Sequence, residues 1–557
     1  MGRAGARPAT TARPPRPPAG PPRTPTSGGG RTMPPAEHRG VLAPPGPPGF
    51  DEQAAEIPDH LLRSPVWTDE AVAASGIPVV DVPFVTVGGG MGSFVMVDVL
   101  RIAGVRPEQV KVLTNLRHPW ENYAYLTGVS QLPPNYRIRS DASSMPDNLW
   151  GFPSYAARRA FRSRSVTGFL APLWNVLTEN LLTDYWTPLA GEVFEGMRRE
   201  ADRIGYWDSV AHGQARMVRR RAAGGYFTVF TTQGARRQRV IYRSAHVQLA
   251  VGYPSIRFLP DMQEFRARHG NAQRFVNAYE PHEHVYEDLK SRPGTVVVRG
   301  GGIAASAIIH RLLNDREQHG AQTRIVHLLR NYVSGPHGPS RFMRRRGGKG
   351  WAHQGFNWPK ASWGGQLKMR LERAGDDERR ELWKVMKGST TPYRKGWQKQ
   401  LERARRNGSY TAVQGTIARV DRTDSGSVQL HCTDAGGAAQ AITADYLVDA
   451  TGLIGDLRSH RLLHDLVEVS GAPRNVLGRL DVSTGFEITA LRSGPGRIFA
   501  AGAATEGAYY APADSLLGLQ YAALRIADQL ADDGFGKKIT SARSVAQWCR
   551  FMRGVAP

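Results

Sequence analysis

Two glycine clusters have the residue types and spacing to hold a phosphorylated ligand. Gly88, Gly89, Gly90, Met91, Gly92 and Ser93 follow the apolar run Val85-Thr86-Val87. The pattern Gly88-x-Gly90-x-x-Ser93 fits the dinucleotide fingerprint, with a small residue in place of its third glycine. The first glycine permits a tight turn and the second lets backbone approach a pyrophosphate. Free N–H groups and the positive end of a helix dipole then hold the phosphates. A lone pattern of this kind also arises from packing alone. A second copy strengthens it: Thr295 to Val298 is again β-branched and apolar, and Gly300-x-Gly302-x-x-Ala305 follows.

These turns require strands before them and helices behind them. The first unit reads as a strand from Val79 to Val87, a helix from about Phe94 to Ala103 and a second strand at Val110 to Asn115. The second unit reads as a strand, a helix to about Leu313 and a strand at Arg324 to Leu329. Each is followed by an insertion, a hairpin and a buried strand ending in Ala-x-Gly. In the first copy that ending is Ala250-Val251-Gly252, and in the second it is Asp449-Ala450-Thr451-Gly452. The chain therefore carries one α/β module order twice, over 85–252 and 297–452. That implies two nucleotide sites, or one site and a degenerate copy.

Strand ends bear on what each turn holds. An acidic residue usually takes the ribose hydroxyls at the end of the second strand. Thr114 and Asn115 stand there in the first unit, and Asn115 can bond a ribose only without charge. In the second unit Arg330 occupies that position, which favours NADPH over NADH because a guanidinium fork matches a 2′-phosphate. The alternative is an arginine that simply lies on the surface.

The arrangement resembles the two-dinucleotide-domain flavoproteins, most closely the flavin-containing and N-hydroxylating monooxygenases, over about residues 79–532. Asp449-Ala450-Thr451-Gly452 looks like that family's ATG-type segment. His282-Glu283-His284-Val285-Tyr286 is similar to its histidine segment before the second fingerprint. Gly496 to Ala503, followed by Asp514 to Gln520 and a helix to Leu530, looks like its closing FAD strand and helix. The resemblance implies two Rossmann-like βαβ domains, with a discontinuous FAD domain interrupted by an NAD(P)H domain. The implied boundaries are 79–255 with a helical insertion at 155–205, then 290–410 with a basic and aromatic insertion at 335–410, then 411–532 and a tail at 533–557.

By resemblance the first turn holds FAD and the second holds NADPH, and cofactor contacts are expected at Gly88 to Ser93, Asn115, Ser140, Asp141, Gly300, Gly302, Ala305, Arg330, Thr451, Gly452, Gly502 and Leu517. The implied reaction is hydride transfer from NADPH to FAD, then oxygenation of a small-molecule substrate through a flavin C4a-hydroperoxide. The cofactor carries the difficult chemistry, so few catalytic side chains are expected. His282, His284 and Tyr286 are candidates by position, with structural roles as the alternative. Departures from the pattern are Ala503 where an aspartate commonly binds ribitol, and Ile303-Ala304-Ala305 where a polar residue and more glycine are usual.

Within 117–155, rich in polar and aromatic residues, Arg139, Ser140 and Asp141 are candidate phosphate or ribitol contacts; surface loop roles are the alternative. The pattern from Tyr155 to Ile204 predicts helix, with Phe161, Phe169, Leu173, Trp174, Leu177, Leu181 and Leu182 as a core or lid stripe. Residues 1–50, rich in Pro, Gly and Arg, cannot bury enough surface to offset ordering and are expected to be disordered. A start at Met33 is an alternative to one at Met1.

The 557 residues carry a net charge of +24, with about +6 from residues 1–50 and about +13 from residues 341–410. Solvated basic faces account for this, and a surface that attracts a phosphorylated cofactor is the alternative. Cys432 and Cys549 exclude a disulfide framework and a Cys-x-x-Cys pair, and fit a cytoplasmic setting. No apolar run is long enough for a membrane helix. His282 and His284 alone are too few for a metal site. Rival functions are a flavin dehydrogenase or oxidase without oxygen insertion, and a non-catalytic nucleotide-binding protein contacting nucleic acid through its basic surface. Arg341 to Trp351, with Trp358, Trp363, Trp383 and Trp397, reads as a mobile insertion over the nicotinamide site, with a nucleic-acid groove or a surface for an acidic substrate as the alternatives.

Overall fold

The first glycine turn sits at the middle of a mostly parallel sheet because its strand is buried on both faces. In a computed structural model, residues 56–557 are described except 138–149, most of 151–188, 235, 254, 271–272, 338–345, 354–365, 387–390, 392 and 512. The described residues belong to one compact unit, Pro44–Pro557. Arg139, Ser140, Asp141 and most of the apolar stripe of 161–182 lie outside them. Trp174, a described member of that stripe, is exposed and does not fill a core position.

The first sheet is built from β1 (Val79–Asp81), β2 (Phe84–Val87), β3 (Val110–Thr114), β4 (Val210–Arg221), β5 (Tyr226–Thr232), β6 (Arg239–Ser244), β7 (His246–Leu249) and, from much later in the chain, Ile498–Ala500. Its spatial order is β1-β6-β5-β4-β3-β2-β7 and then Ile498–Ala500, with Val66–Trp67 beside β4. The run from β4 to Ile498–Ala500 is parallel throughout. The single strand expected at Val79 to Val87 is divided instead. Pro83 lacks an N–H, and β1 leaves to pair with β6 while β2 enters the centre. The carbonyl of Pro83 accepts from both Ala245 and His246, which holds the break in place.

Helix α1 (Met91–Ile102) follows β2 and is buried nearly all round, packed by α2 (Ala190–Ile204) and the late helix Leu516–Asp532. Of the helix expected over 155–204, α2 is the continuous described part.

The second sheet contains β8 (Phe275–Asn277), β9 (Gly294–Arg299), β10 (Thr323–Leu329), β11 (Tyr410–Gln414) and Tyr446–Asp449, all parallel. Its order is β8, Tyr446–Asp449, β9, β10, β11, so β9 stands where β2 stands in the first sheet. Helix α3 (Glu283–Ser291) precedes β9, α4 (Ile303–His319) follows it, and α5 (Lys395–Arg406) precedes β11. The expected hairpin is a separate antiparallel sheet, β12 (Thr416–Arg422), β13 (Val428–Thr433) and β14 (Ala439–Ala444), which leads into β15 (Tyr446–Asp449). Ile498–Ala500 is then β16, and Leu516–Asp532 is α6.

The segment expected as a tail contains α7 (Ser541–Arg553), capped by the Thr540 hydroxyl and closed by Gly554 at φ +72°. Two reciprocal bonds tie it down. Trp150 Nε1 donates to Ser544 Oγ at 3.0 Å, and Trp548 Nε1 donates to Ser154 Oγ at 2.9 Å.

An ion pair, fully buried at its arginine and half-buried at its aspartate, joins the first sheet to the helix Arg461–Glu468. Arg219 on β4 is fully buried; its guanidinium spans the Asp465 carboxylate at 2.5 and 2.9 Å and donates to the Leu62 carbonyl at 3.0 Å.

Among the described residues the imidazoles of His246, His282, His327 and His353 are buried, and those of His246, His327 and His353 are each pushed down to about 4, first of all by desolvation. Because folding disfavours their charged forms, their stabilisation is present above the ordinary value of 6.5 and is lost as pH falls towards 4. Each contributes roughly 3 kcal/mol to that loss. Melting temperature should drop steeply between pH 6.5 and 4. A flat profile there would contradict this reading.

Candidate functional site

Both turns lie at the carboxyl ends of their central strands, where the strand order reverses. Their backbones match. Gly88 has φ +95° and its N–H donates to the Leu113 carbonyl, whereas Gly300 has φ +128° and donates to Leu328. A Cβ on Gly88 would lie 2.5 Å from the Ala250 carbonyl oxygen, and one on Gly300 would lie 2.5 Å from that of Ala450. Thus the Ala-x-Gly segments press on the turns from the neighbouring strand, a role invisible in their side chains.

Gly90 and Gly302 are the residues preceding the helices, with φ −80°, ψ −166° and φ −95°, ψ −169°. Neither helix start has a side-chain cap, so first-turn N–H groups are left for a ligand. A Cβ on Gly90 would meet no protein atom within 4 Å, so that glycine faces open space, as close approach of a pyrophosphate requires. Gly89 is different: a Cβ there would strike the Thr114 side chain, which brings the end of β3 against the turn. Met91 is buried at the start of α1.

Around the first turn the structure gathers the closing segment. A Cβ on Gly92 would touch Ala250 Cβ and Leu519 Cδ2 at 3.3 Å, and one on Gly502 would touch the same Leu519 atom at 3.4 Å. Gly502 has φ +75° and opens a short turn to Thr505. Leu517 is buried on α6, whose first turn is capped by Ser515 Oγ accepting from Gly518 at 3.1 Å. Tyr253, just past Gly252, donates to Asp514 at 2.6 Å. Asn115 is exposed immediately beyond β3. Ala503 is buried and leaves backbone alone to serve there. The phosphate cradle fits a dinucleotide; the two positions that commonly hold sugar hydroxyls with a carboxylate lack one.

Ser93 is fully buried, and its hydroxyl donates back to the Gly88 carbonyl, with Thr86 Oγ1 at 2.9 Å from it. Its side chain therefore braces the turn from inside. Ala305 has the matching place in the second turn and is buried in apolar packing. Arg330 is exposed just past β10, and its carbonyl accepts from Gln414 at 3.3 Å. Gly452 has φ +113°, and the Thr451 N–H donates to Asp449 Oδ1 at 3.2 Å. Burial raises the Asp449 carboxyl above the ordinary carboxylate range.

The histidine segment spans the start of α3, with His282 just before its first residue. His282 is buried, with Nδ1 2.7 Å from the Glu280 carbonyl and Nε2 2.9 Å from Tyr286 Oη, and Tyr286 belongs to the core. His284 lies 2.9 Å from the Gln273 carbonyl. Trp351, Trp383 and Trp397 are buried, which removes them as a stacking surface for nucleic acid bases. Residues 341–345, Trp358 and Trp363 lie outside the described part. Among the described residues, no group of three or more His, Cys, Asp or Glu could hold a metal, and no helix is long and apolar enough to cross a membrane.

Sequence reading missed His327. It lies mid-strand in β10, fully buried, with Nε2 2.5 Å from the Gly300 carbonyl and Nδ1 2.7 Å from Tyr410 Oη. The available signal was one imidazole inside the apolar run Ile325 to Leu329.

The fold is that of flavoprotein N-hydroxylating monooxygenases. Among solved structures, the chain is similar to the ornithine hydroxylase PvdA of Pseudomonas aeruginosa, at 16% identity and TM-score 0.54, over 82% of this chain and all of that one. It is similar to the Kutzneria sp. 744 ornithine N-hydroxylase KtzI, solved with reduced FAD, NADP+ and L-ornithine, at 15% identity and TM-score 0.55 over 82% and 100% of the two chains. It is also similar to DfoA, the FAD-bound cadaverine monooxygenase of Erwinia amylovora, at 14% identity and TM-score 0.55 over 82% and 95%. No protein-family model and no curated protein matches the sequence.

Proposed function

We infer that the chain is an FAD-dependent monooxygenase reduced by NAD(P)H, acting on a small molecule that presents an amine. The observation that carries this is the pair of matched turns, each with a first glycine blocked by an Ala-x-Gly carbonyl and an uncapped helix start behind it. The solved structures of the same fold, named for ornithine and cadaverine chemistry, support the substrate class.

In this reading the first sheet and its late additions, β16 and α6, hold FAD through Gly88 to Ser93, Asn115, Gly502 and Leu517. The second sheet holds the nicotinamide cofactor through Gly300, Gly302, Ala305, Arg330, Thr451 and Gly452. Ser140 and Asp141 remain proposed FAD contacts. When bound, FAD supplies hydride acceptance and oxygen activation. The chain's own task is to bind, orient and shield: uncapped N–H groups take the phosphates, and backbone at Ala503 replaces the absent carboxylate.

The test is anaerobic addition of NADPH to the flavin-reconstituted protein, then oxygen uptake with ornithine, lysine or cadaverine. Bleaching of the flavin band and uptake matched by hydroxylamine support the reading. Uptake matched by peroxide with every amine identifies an oxidase instead. No flavin after reconstitution overturns the reading altogether.

Arg330 sets the choice of nicotinamide cofactor. Arg330→Glu should lower kcat/KM for NADPH relative to NADH by about tenfold or more, the worth of one charge-assisted bond. An unchanged ratio would assign Arg330 to the surface.

A further inference from the structure

The two turns solve one problem in opposite ways. The carbonyl of each first glycine points back among strand residues and needs a donor, since an unsatisfied buried carbonyl is costly. At the first turn Ser93 donates to Gly88, with Thr86 beside it. The corresponding residues of the second turn are Ala305 and Val298, which have no polar atom to offer. There the donor comes from the adjacent strand. His327 pairs with Val298 just as Val112 pairs with Thr86, so the first copy has an apolar residue where the second has histidine. Polar and apolar positions have exchanged between copies around an unchanged backbone.

The hydrogen positions follow from the partners. The Gly300 carbonyl only accepts, so His327 Nε2 carries the proton and Nδ1 accepts from Tyr410 Oη. The Tyr410 oxygen in turn accepts from Trp351 Nε1, a donor only, at 3.1 Å. The Trp351 ring lies 4.4 Å from the His327 ring, tilted by 34°, and meets Trp397 edge to face at 4.9 Å. The relay runs Trp351 to Tyr410 to His327 to Gly300.

We propose that His327 is a positioning residue for the nicotinamide cofactor: it fixes the Gly300 turn through its carbonyl, in the place that Ser93 fills at the flavin turn. This rests on the functional reading above. The experiment is calorimetric titration of NADP+ into the full-length FAD-loaded protein, for the wild type, His327→Val and His327→Val/Ala305→Ser.

His327→Val should weaken NADP+ binding about tenfold, the loss of one buried hydrogen bond, and raise KM for NADPH similarly. Flavin content and kcat at saturating NADPH should stay within about twofold of the wild type on the same ground. Ala305→Ser, which restores a hydroxyl at the Ser93 position, should recover most of the affinity. Should His327→Val fail to fold, a double variant that folds and binds supports the proposal, and one that equally fails overturns it. Unchanged affinity in His327→Val, or no recovery in the double variant, also overturns it. A wild type that retains flavin but binds no NADP+ overturns the functional reading and this proposal together.

Discussion

Gly300→Ala should leave the flavin in place and suppress its reduction by NADPH, whereas Gly88→Ala should yield protein that does not retain FAD. Each methyl would stand 2.5 Å from a backbone carbonyl oxygen, on Ala450 or Ala250, with no flexible side chain to give way. Each glycine also has a positive φ, +128° or +95°, that an L-residue adopts only under strain. The turn must therefore open, and opening withdraws the N–H groups that hold phosphate. The loss should be about a hundredfold or more in cofactor affinity, since several hydrogen bonds of roughly 1–3 kcal/mol go together. Flavin absorbance of the purified variants and anaerobic bleaching by NADPH separate the two effects. If Gly300→Ala protein bleaches like the wild type, the second turn is not the nicotinamide site.

Asp465→Ala should cost about 3–5 kcal/mol of folding stability, because it leaves a buried guanidinium without its counter-charge. Arg219 has no exposure to water through which to recover that loss, and its bond to the Leu62 carbonyl supplies no charge. Replacing both partners, Arg219→Leu with Asp465→Leu, should restore most of the stability, since neither residue then carries a buried charge. Denaturant titration of the three proteins reads the cycle directly. A loss below about 1 kcal/mol in Asp465→Ala would show that water reaches the pair and screens it.

What the sequence disclosed was local in origin. Glycine turns, β-branched strands and the repeated module order depend on residues within a few positions of one another, and both sheets formed around them. The break at Pro83 was equally local, yet Val79 to Val87 reads as one strand unless the missing N–H of Pro83 is weighed against strand pairing. Burial was less legible. Trp351, Trp383 and Trp397 sit among Arg and Lys in the chain, yet they are inside the protein, because partners such as His327 and Ala508 come from other segments. The Ala-x-Gly segments were visible as patterns, but their use as carbonyl stops depends on strand register. Helix α7 was missed because its buried face, with Gln547 and Phe551, is narrow and flanked by arginine.

The place of β16 has a consequence for biosynthesis. It lies against β7 in the first sheet, although Leu249 and Ile498 stand far apart in the chain. On a ribosome adding roughly 5–20 residues per second, about 10–50 s separate the appearance of the two strands. The second sheet is complete once Asp449 has emerged. During that interval the edge of β7 is bare, and α6 has not yet covered α1. The nascent chain therefore finishes its second glycine turn before it can enclose the first, so on the proposed function FAD capture would be one of the last events of its synthesis.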